Sequence, residues 1–518
     1  MSKYLKYSLL IALATLLVRF GGFLRVLVLA AVYGAGTVSD AFVIIQTLPN
    51  LILTVFIAGT AATYISISAN LNEGKNRFTS NLLTVFAVIG ILFAILLFLF
   101  PVFFIKIFAT RADANVIAVA YQMLRYMSCS VVPMLLACVL SANLQANSEF
   151  FISTVYQIFI NFFLIVSVFV SKATTFPSWM GVGMAVGNFA SFVTLVIANR
   201  RVGLQYRPLI DIHDPNLKRF FILIAPIMLS SIIVEVDQIV DRNMASSLPL
   251  GTVSTLDYSQ RIVNMISAFI GAAIGKAIYP NLSILAAHGK TDEMMDQVGG
   301  GMKILLPLIL PIMTGMILLA EPITRILFER GEFTSADTLR AAQSLQMYAL
   351  GILAANLTPL LTFVFYAKQT TKVPAILSVV CMLLKVGLNL VLIGPLQHKG
   401  LAFSTSISAT TSLILLTILL RCNYGTPRIF KKKSEWLKLI IALTIMTVFV
   451  WLGQYFMPLM KGDYIKCVAL TGLLVGSAIL LYGGLLIVLR TEIAGIVLDA
   501  VRAYMAGRNQ SKDSTPQC

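Results

Sequence analysis

The chain has 518 residues, 58% of them hydrophobic and only 12% charged. A soluble domain carries roughly 25% charged residues because its surface must be hydrated, so this composition excludes an ordinary water-soluble globule. The formal net charge of +17 would suit a nucleic-acid binder, until the charges are located along the chain.

A helix needs about 20 residues to cross roughly 30 Å of hydrocarbon with its backbone groups bonded internally. Apolar runs of that length predict an all-α integral membrane protein of about 14 transmembrane helices. The spans fall near 7–33, 39–68, 80–108, 116–142, 150–171, 178–199, 218–245, 255–285, 301–328, 337–367, 372–396, 399–421, 435–458 and 464–490. A transmembrane β-barrel would alternate every second residue, and these runs do not. The first run is too long for a cleaved signal peptide, contains Arg19 and Arg25, and lacks a small-x-small site after it. It is expected to stay as span 1.

With an even number of spans both termini share one side. Loops on that side hold Lys3, Lys6, Lys75, Arg77, Arg200, Arg201, Arg207, Lys431, Lys432, Lys433 and the basic tail. The opposite loops hold only Arg111, Lys172, Arg330, Lys399, Lys461 and Lys466. Basic residues gather in cytoplasmic loops, so both ends are expected in the cytoplasm and nucleic acid is not implied. The Lys431–Lys433 run reads as part of this orientation signal, with anionic headgroups as a second reading. The six cysteines form no CxxC pair, and His213, His288 and His398 lack metal-ligand spacing.

The halves echo each other. Gly36-Thr37-Val38-Ser39 returns as Gly251-Thr252-Val253-Ser254, Gly181-Val182-Gly183 is matched by Gly400-Leu401-Ala402, and Leu144-Gln145-Ala146-Asn147 by Phe365-Tyr366-Ala367-Lys368. The nearly constant offset implies two pseudo-symmetric six-helix lobes in the same orientation, with the substrate path between them. The expected organisation is an N-lobe over 1–199, a cytoplasmic linker over 200–217 and a C-lobe over 218–421. A basic linker over 422–434, spans 13 and 14 over 435–490, and a cytoplasmic amphipathic segment and tail over 491–518 follow.

An ionisable group at mid-membrane costs at least about 2.5–3.5 kcal/mol and by default faces a cavity or a partner. Span 7 carries Glu235, Asp237, Asp241 and Arg242, and span 8 carries Asp257, Arg261 and Lys276. Asp257 and Arg261 are i,i+4 in the favourable order, and Asp241 beside Arg242 offsets part of the cost in span 7. Arg125 and Lys385 stand alone in spans 4 and 11. Arg19 and Arg25 have no acid in their own helix and are expected to face a hydrated cavity that attracts anions. Arginine suits phosphate because its planar fork makes two parallel charge-assisted hydrogen bonds. Gly271–Lys276 falls one residue short of a phosphate loop and lies within a helix, and no catalytic triad or zinc pattern occurs. A transporter is therefore expected in preference to an enzyme, for which Asp211, His213 and Asp214 would be the only catalytic candidates.

Several motifs are similar to one family. Arg19-Phe20-Gly21-Gly22-Phe23-Leu24-Arg25, Tyr33-Gly34-Ala35-Gly36, Ser39-Asp40-Ala41-Phe42 and Leu48-Pro49-Asn50 resemble the opening of the MurJ/MviN lipid II flippases. Asp257-Tyr258-Ser259-Gln260-Arg261, Glu329-Arg330-Gly331-Glu332-Phe333-Thr334, Phe365-Tyr366-Ala367-Lys368-Gln369 and Asn389–Leu396 extend the likeness over nearly the whole chain. The resemblance implies fourteen helices of the multidrug/oligosaccharidyl-lipid/polysaccharide exporter superfamily, alternating access, and a place in the bacterial inner membrane. The implied substrate is an undecaprenyl-pyrophosphate-linked peptidoglycan precursor, with Arg19, Arg25 and Arg261 gripping the pyrophosphate and Asp40 and Asn50 beside them. It also implies a groove for the lipid tail on spans 13 and 14. Sodium as a coupling ion would be held near Asp241, Asn389 and Thr405. The expected protein is a monomer among membrane lipids, with cell-wall synthesis enzymes as partners. The sequence departs from the family pattern at Leu51-Ile52-Leu53-Thr54, where an arginine is usual, at Val26 and at Ile393. A flippase for an exopolysaccharide or O-antigen-like repeat unit, and a non-transporting scaffold for cell-wall synthesis, are the rival readings.

Overall fold

A computed structural model of the chain describes residues 3–71, 74–430, 432–457 and 464–495. Among them there is no strand, and helix accounts for nearly all regular structure. The principal helices are α1 (Lys3–Tyr33), α2 (Thr37–Ser68), α3 (Lys75–Leu99), α4 (Ala114–Ala146), α5 (Ile152–Thr174), α6 (Trp179–Arg201) and α7 (Pro215–Ala245). They continue with α8 (Thr252–Ala287), α9 (Thr291–Leu318), α10 (Ser335–Ala367), α11 (Lys372–Leu396), α12 (His398–Tyr424), α13 (Lys433–Phe456) and α14 (Tyr464–Val488).

Among the described residues, twelve helices are long and apolar enough to cross a membrane. The expected count was higher by two, and the difference is α7 and α8. These have 31 and 36 residues, or about 46 and 54 Å at 1.5 Å per residue, ample for a crossing, and side chains in the middle of both lie outside the described residues. Span 9 begins ten residues earlier than its apolar run suggests, at Thr291, with Asp292 and Glu293 in its first turn. Acids there suit the positive end of the helix dipole. Most of the amphipathic segment expected over 491–507, and the tail after it, lie outside the described residues. The side chains of 271–277 do too.

Breaks recur at matching places in the two halves. α3 is followed by a short helix, Pro101–Phe108, and α9 by another, Ala320–Phe328. Pro101 explains the first, since a proline suits the first turn of a new helix and cannot continue an old one. α4 tightens to a 3₁₀ turn at Ser128–Ser130, and α10 is interrupted at Leu350-Gly351.

The chain divides into two compact units. The first comprises the described residues up to Arg261, with Leu327–Ala341 and Val386–Leu401. Within it α5 and α6 pack through small residues: a Cβ at Gly183 would collide with Ser167, and one at Gly187 would lie 2.8 Å from the Ile160 Cα. Where lipid tails remove the hydrophobic drive between helices, such close backbone approach supplies the packing energy. A buried polar chain ties α2, α3, α4 and α6. The Tyr64 hydroxyl donates to Asn143 Oδ1 (2.8 Å) and meets Thr79 Oγ1 (2.7 Å), and Asn143 Nδ2 donates to Asn199 Oδ1 (2.7 Å).

The segment between α6 and α7 is fastened along α3. Asn81 exchanges two hydrogen bonds with the Asp211 backbone, at 2.8 and 2.9 Å, and Arg77 pairs with the Asp211 carboxylate at 3.1 Å. Ser80 Oγ accepts from Arg207 N, and Thr84 Oγ1 from Leu209 N. Asp214 caps α7 through Asn216 N at 2.9 Å. Asp211 and Asp214, the candidates for an enzyme reading, are thus occupied as structural anchors.

The second unit takes Ile262–Ile326, Ala342–Lys385 and the described residues from Ala402 onward. α13 and α14 pack together through Leu439, Ala442, Met446 and Val450 against Leu474, Ala478 and Tyr482. Pro311 has no N–H to offer the Pro307 carbonyl one turn before it. The Tyr482 hydroxyl donates to that orphaned oxygen at 3.0 Å, which joins α14 to α9.

Candidate functional site

The first unit contains a cluster of buried charge built from α1, α2, α7 and α8. Asp257 lies between two arginines: Arg261 Nε donates to Oδ2 at 2.5 Å and Arg242 Nη2 to Oδ1 at 3.4 Å. The Asp257–Arg261 pair is the i,i+4 contact expected from spacing. Arg261 also donates from Nη2 to Gln46 Oε1 at 3.2 Å. Arg242 reaches α2 as well, donating to the Val43 carbonyl at 3.1 Å and to the Thr47 hydroxyl. Arg25 of α1 is 7% exposed and within electrostatic reach of both Arg261 and Asp257. Glu235 and Asp241 act on Arg242 from farther along α7, so the surplus positive charge lies on the Arg25–Arg261 side. A guanidinium fork with spare donors in a poorly hydrated site is suited to a multiply charged oxyanion.

The candidate residues divide on this geometry. Arg25 and Arg261 are brought together. Arg19 is exposed, six residues back and so roughly 9 Å along the helix and 120° around it. Asp40 is a correction: both its oxygens are engaged away from the arginines. They accept from Gly251 N (2.7 Å), Ser254 N (2.8 Å) and Ser254 Oγ (2.6 Å), which caps the start of α8. Asn50 lies within α2, and its side chain is outside the described residues. Asp241 acts electrostatically on its neighbour Arg242, as expected. Asn389 Nδ2 donates to its Oδ1 at 2.8 Å, while Thr405 belongs to the second unit. Arg125, expected to stand alone, lies over the Phe98 ring, 4.5 Å from its centroid.

Sequence reasoning missed Arg242 and Gln46. Arg242 pairs with an acid 15 residues ahead across a turn, beyond any helical spacing rule. Its place in the last turn of α7 was the available signal, because a cation there complements the helix dipole.

Three backbone segments close over the end of the cluster where α1 turns into α2. Glu332 N donates to the Ala31 carbonyl at 2.9 Å, and the Tyr258 hydroxyl to the Gly34 carbonyl at 3.3 Å. Gly34, Gly251 and Gly331 all have positive φ, and a Cβ on any of them would strike a carbonyl oxygen, of Glu332, Ala35 or Ala31 respectively. Only glycine fits both the left-handed backbone and the lack of space. Phe328 and Phe333 pack on the Tyr258 ring beneath them.

Membrane-length helices with two buried arginines held on one carboxylate define a multi-pass membrane protein with a cationic interior site. The family described as "Lipid II flippase MurJ" matches residues 29–470, and the chain belongs to that family. A curated relative from Buchnera aphidicola subsp. Schizaphis graminum, "Probable lipid II flippase MurJ", is 26% identical over 475 residues, covering 88% of this chain and 91% of the relative. One of the same name from Thermotoga maritima is 26% identical over 431 residues, covering 82% and 87%. The solved structure "Lipid II flippase MurJ, inward closed conformation" shares the fold with a TM-score of 0.80 at 22% identity, over 93% of this chain and 99% of that one. An inward-facing multidrug resistance MATE family transporter of the MOP superfamily gives 0.67 at 12% identity, over 79% and 96%. The protein is a multi-pass transporter of the bacterial inner membrane, not an enzyme.

Proposed function

We propose that this protein translocates lipid II, an undecaprenyl-pyrophosphate-linked glycan, from the inner to the outer leaflet by alternating access. The observation that carries the reading is the convergence of Arg25, Arg242 and Arg261 on the single carboxylate of Asp257, in a chain that belongs to the lipid II flippase family. Asp257 holds the guanidiniums in place and offsets the cost of burying them. A pyrophosphate entering the site would take over donors of Arg25 and Arg261, and Gln46 would fix the plane of the Arg261 fork. Arg19, one and a half turns away along α1, would meet the substrate on its way in. Spans 13 and 14 would take the polyprenyl tail, both termini would lie in the cytoplasm, and the protein would work as a monomer beside cell-wall synthesis enzymes.

Sodium coupling belongs to the same reading. Asp241 and Asn389 bring a carboxylate and a carboxamide together, and oxygens of these kinds suit a hard cation. Asn389 now turns its amide nitrogen to the carboxylate, so ion binding requires that side chain to present its oxygen.

The test is rescue of cells depleted of their own lipid II flippase. The wild-type chain should restore growth and outer-leaflet lipid II, whereas Arg25→Ala and Arg261→Ala should not, despite normal membrane levels. Full growth with both variants would overturn the reading. Failure of the wild type alone would favour the exopolysaccharide or O-antigen-like repeat unit as substrate.

A further inference from the structure

The segment that joins α6 to α7 closes a cavity of about 640 Å³ remote in sequence from the arginine cluster. Leu83 of α3, Leu136 and Leu140 of α4, and Phe192 and Val196 of α6 make its apolar floor, and Leu204 of the connecting segment roofs it. That volume is within the roughly 300–1,000 Å³ typical of sites for small ligands. The roof is built rather than loose, because Asn76 donates to the Gly203 carbonyl while Ser80, Asn81 and Thr84 accept from the backbone of the segment, which holds it along α3. Arg200, the penultimate residue of α6, lines the mouth with its side chain exposed. Among the described residues no acid pairs with it.

The roof also has a surface character of its own. Tyr206, Ile210 and Ile212 are 50%, 60% and 74% exposed, with Arg207 exposed between them. Apolar and cationic side chains side by side on an exposed segment belong at the headgroup level of an anionic leaflet. An apolar slot, a cation at its mouth and an interfacial roof match the three parts of one ligand class.

We propose that this cavity binds one anionic phospholipid of the cytoplasmic leaflet, with an acyl chain in the slot and the phosphate on Arg200. The choice of leaflet rests on the orientation given above. The binding itself does not, so the test is done in detergent micelles, where orientation has no meaning.

Full-length protein is titrated with phosphatidylglycerol and, separately, with phosphatidylcholine, and bound lipid is counted by native mass spectrometry. The wild type should retain one phosphatidylglycerol about fivefold more tightly than phosphatidylcholine, the discrimination expected of one basic side chain at a headgroup. Arg200→Ala should erase that preference and Arg200→Lys keep most of it. Ala87→Phe, which fills the slot but leaves the cation, should weaken retention of both lipids. Equal retention of the two lipids by the wild type would overturn the proposal, as would an unchanged preference in Arg200→Ala. Displacement of phosphatidylglycerol by equimolar undecaprenyl phosphate would overturn it too, by showing that the slot serves a polyprenyl chain. Arg200 is exposed at a helix end, so its replacement leaves the packing intact and the test stands even if Ala87→Phe fails to fold.

Discussion

Asp40 is the clearest place to test the structure by mutation. Its carboxylate, 4% exposed, takes three hydrogen bonds from the first turn of α8. Asp40→Ala leaves two buried backbone N–H groups without an acceptor and takes from the Ser254 hydroxyl the shorter of its two bonds, the other going to the Gly251 carbonyl at 3.2 Å. Each unsatisfied buried donor costs about 1–3 kcal/mol, and a lost N-cap by itself costs about 0.5–2 kcal/mol. These contributions overlap, because one carboxylate serves all three donors, so we expect a loss of about 3–5 kcal/mol. Ser254→Ala removes one donor and keeps the acceptor, and should cost about 1 kcal/mol. Asp40→Asn retains one acceptor oxygen and should fall between the two. The assay is thermal unfolding of the purified protein, followed by a thiol-reactive dye as the buried Cys138, Cys381 and Cys467 become accessible. The double variant should be less destabilised than the sum of the singles, since once Asp40 is gone Ser254→Ala loses only the longer bond to the Gly251 carbonyl. Strict additivity, or an Asp40→Ala protein as stable as wild type, would refute the cap.

Other outcomes follow from the geometry already described. Gly331→Ala should reduce the folded yield severely, as read by gel filtration of detergent extracts, because the new methyl group meets the Ala31 carbonyl at a left-handed backbone position. Tyr482→Phe should lower stability by about 1 kcal/mol in the same thiol assay, by leaving the Pro307 carbonyl without a donor. Asn81→Ala should expose the α6–α7 connection, seen as faster chymotryptic cleavage after Tyr206, with little change in growth rescue. If sodium is the coupling ion, Asp241→Asn should abolish the sodium dependence of rescue while the protein still reaches the membrane at normal levels.

Much of the architecture was legible because the bilayer imposes one rule, a run of apolar residues long enough to cross it. The ends of α11 and α14 fall on or within two residues of the expected ones for that reason. α7 and α8 were found by the same rule, because 220–234 and 262–275 are uncharged and largely apolar. The site was legible only where its contacts are local: Asp257 and Arg261 follow from helical spacing, whereas Asp40 acts on residues more than 200 positions away. A signal for that contact did exist. Gly251-Thr252-Val253-Ser254 repeats the residues that open α2, and an opening turn has N–H groups in need of an acceptor. The fastening of the α6–α7 connection was hidden in the same way. Its trace was Asn76, Ser80 and Thr84, polar residues at helical spacing along one side of an otherwise apolar span.

The fastened connection also determines where α7 can bend. A slack tether would let a helix swing about its first residue, with the preceding loop absorbing the rotation. Here Asp211 is locked to Arg77 and Asn81, Asp214 grips the first turn, and Leu217 and Phe220 are buried. The root of α7 is therefore a clamped end, like that of a cantilever, and deflection has to begin farther along the beam. Pro226, inside the helix, is where a backbone hydrogen bond is already missing and bending costs least. A rotation about that point would carry Arg242, near the far tip, through the longest arc on the helix. Any bending of the lever that positions the arginine against Asp257 is thus expected at the proline, not at the loop.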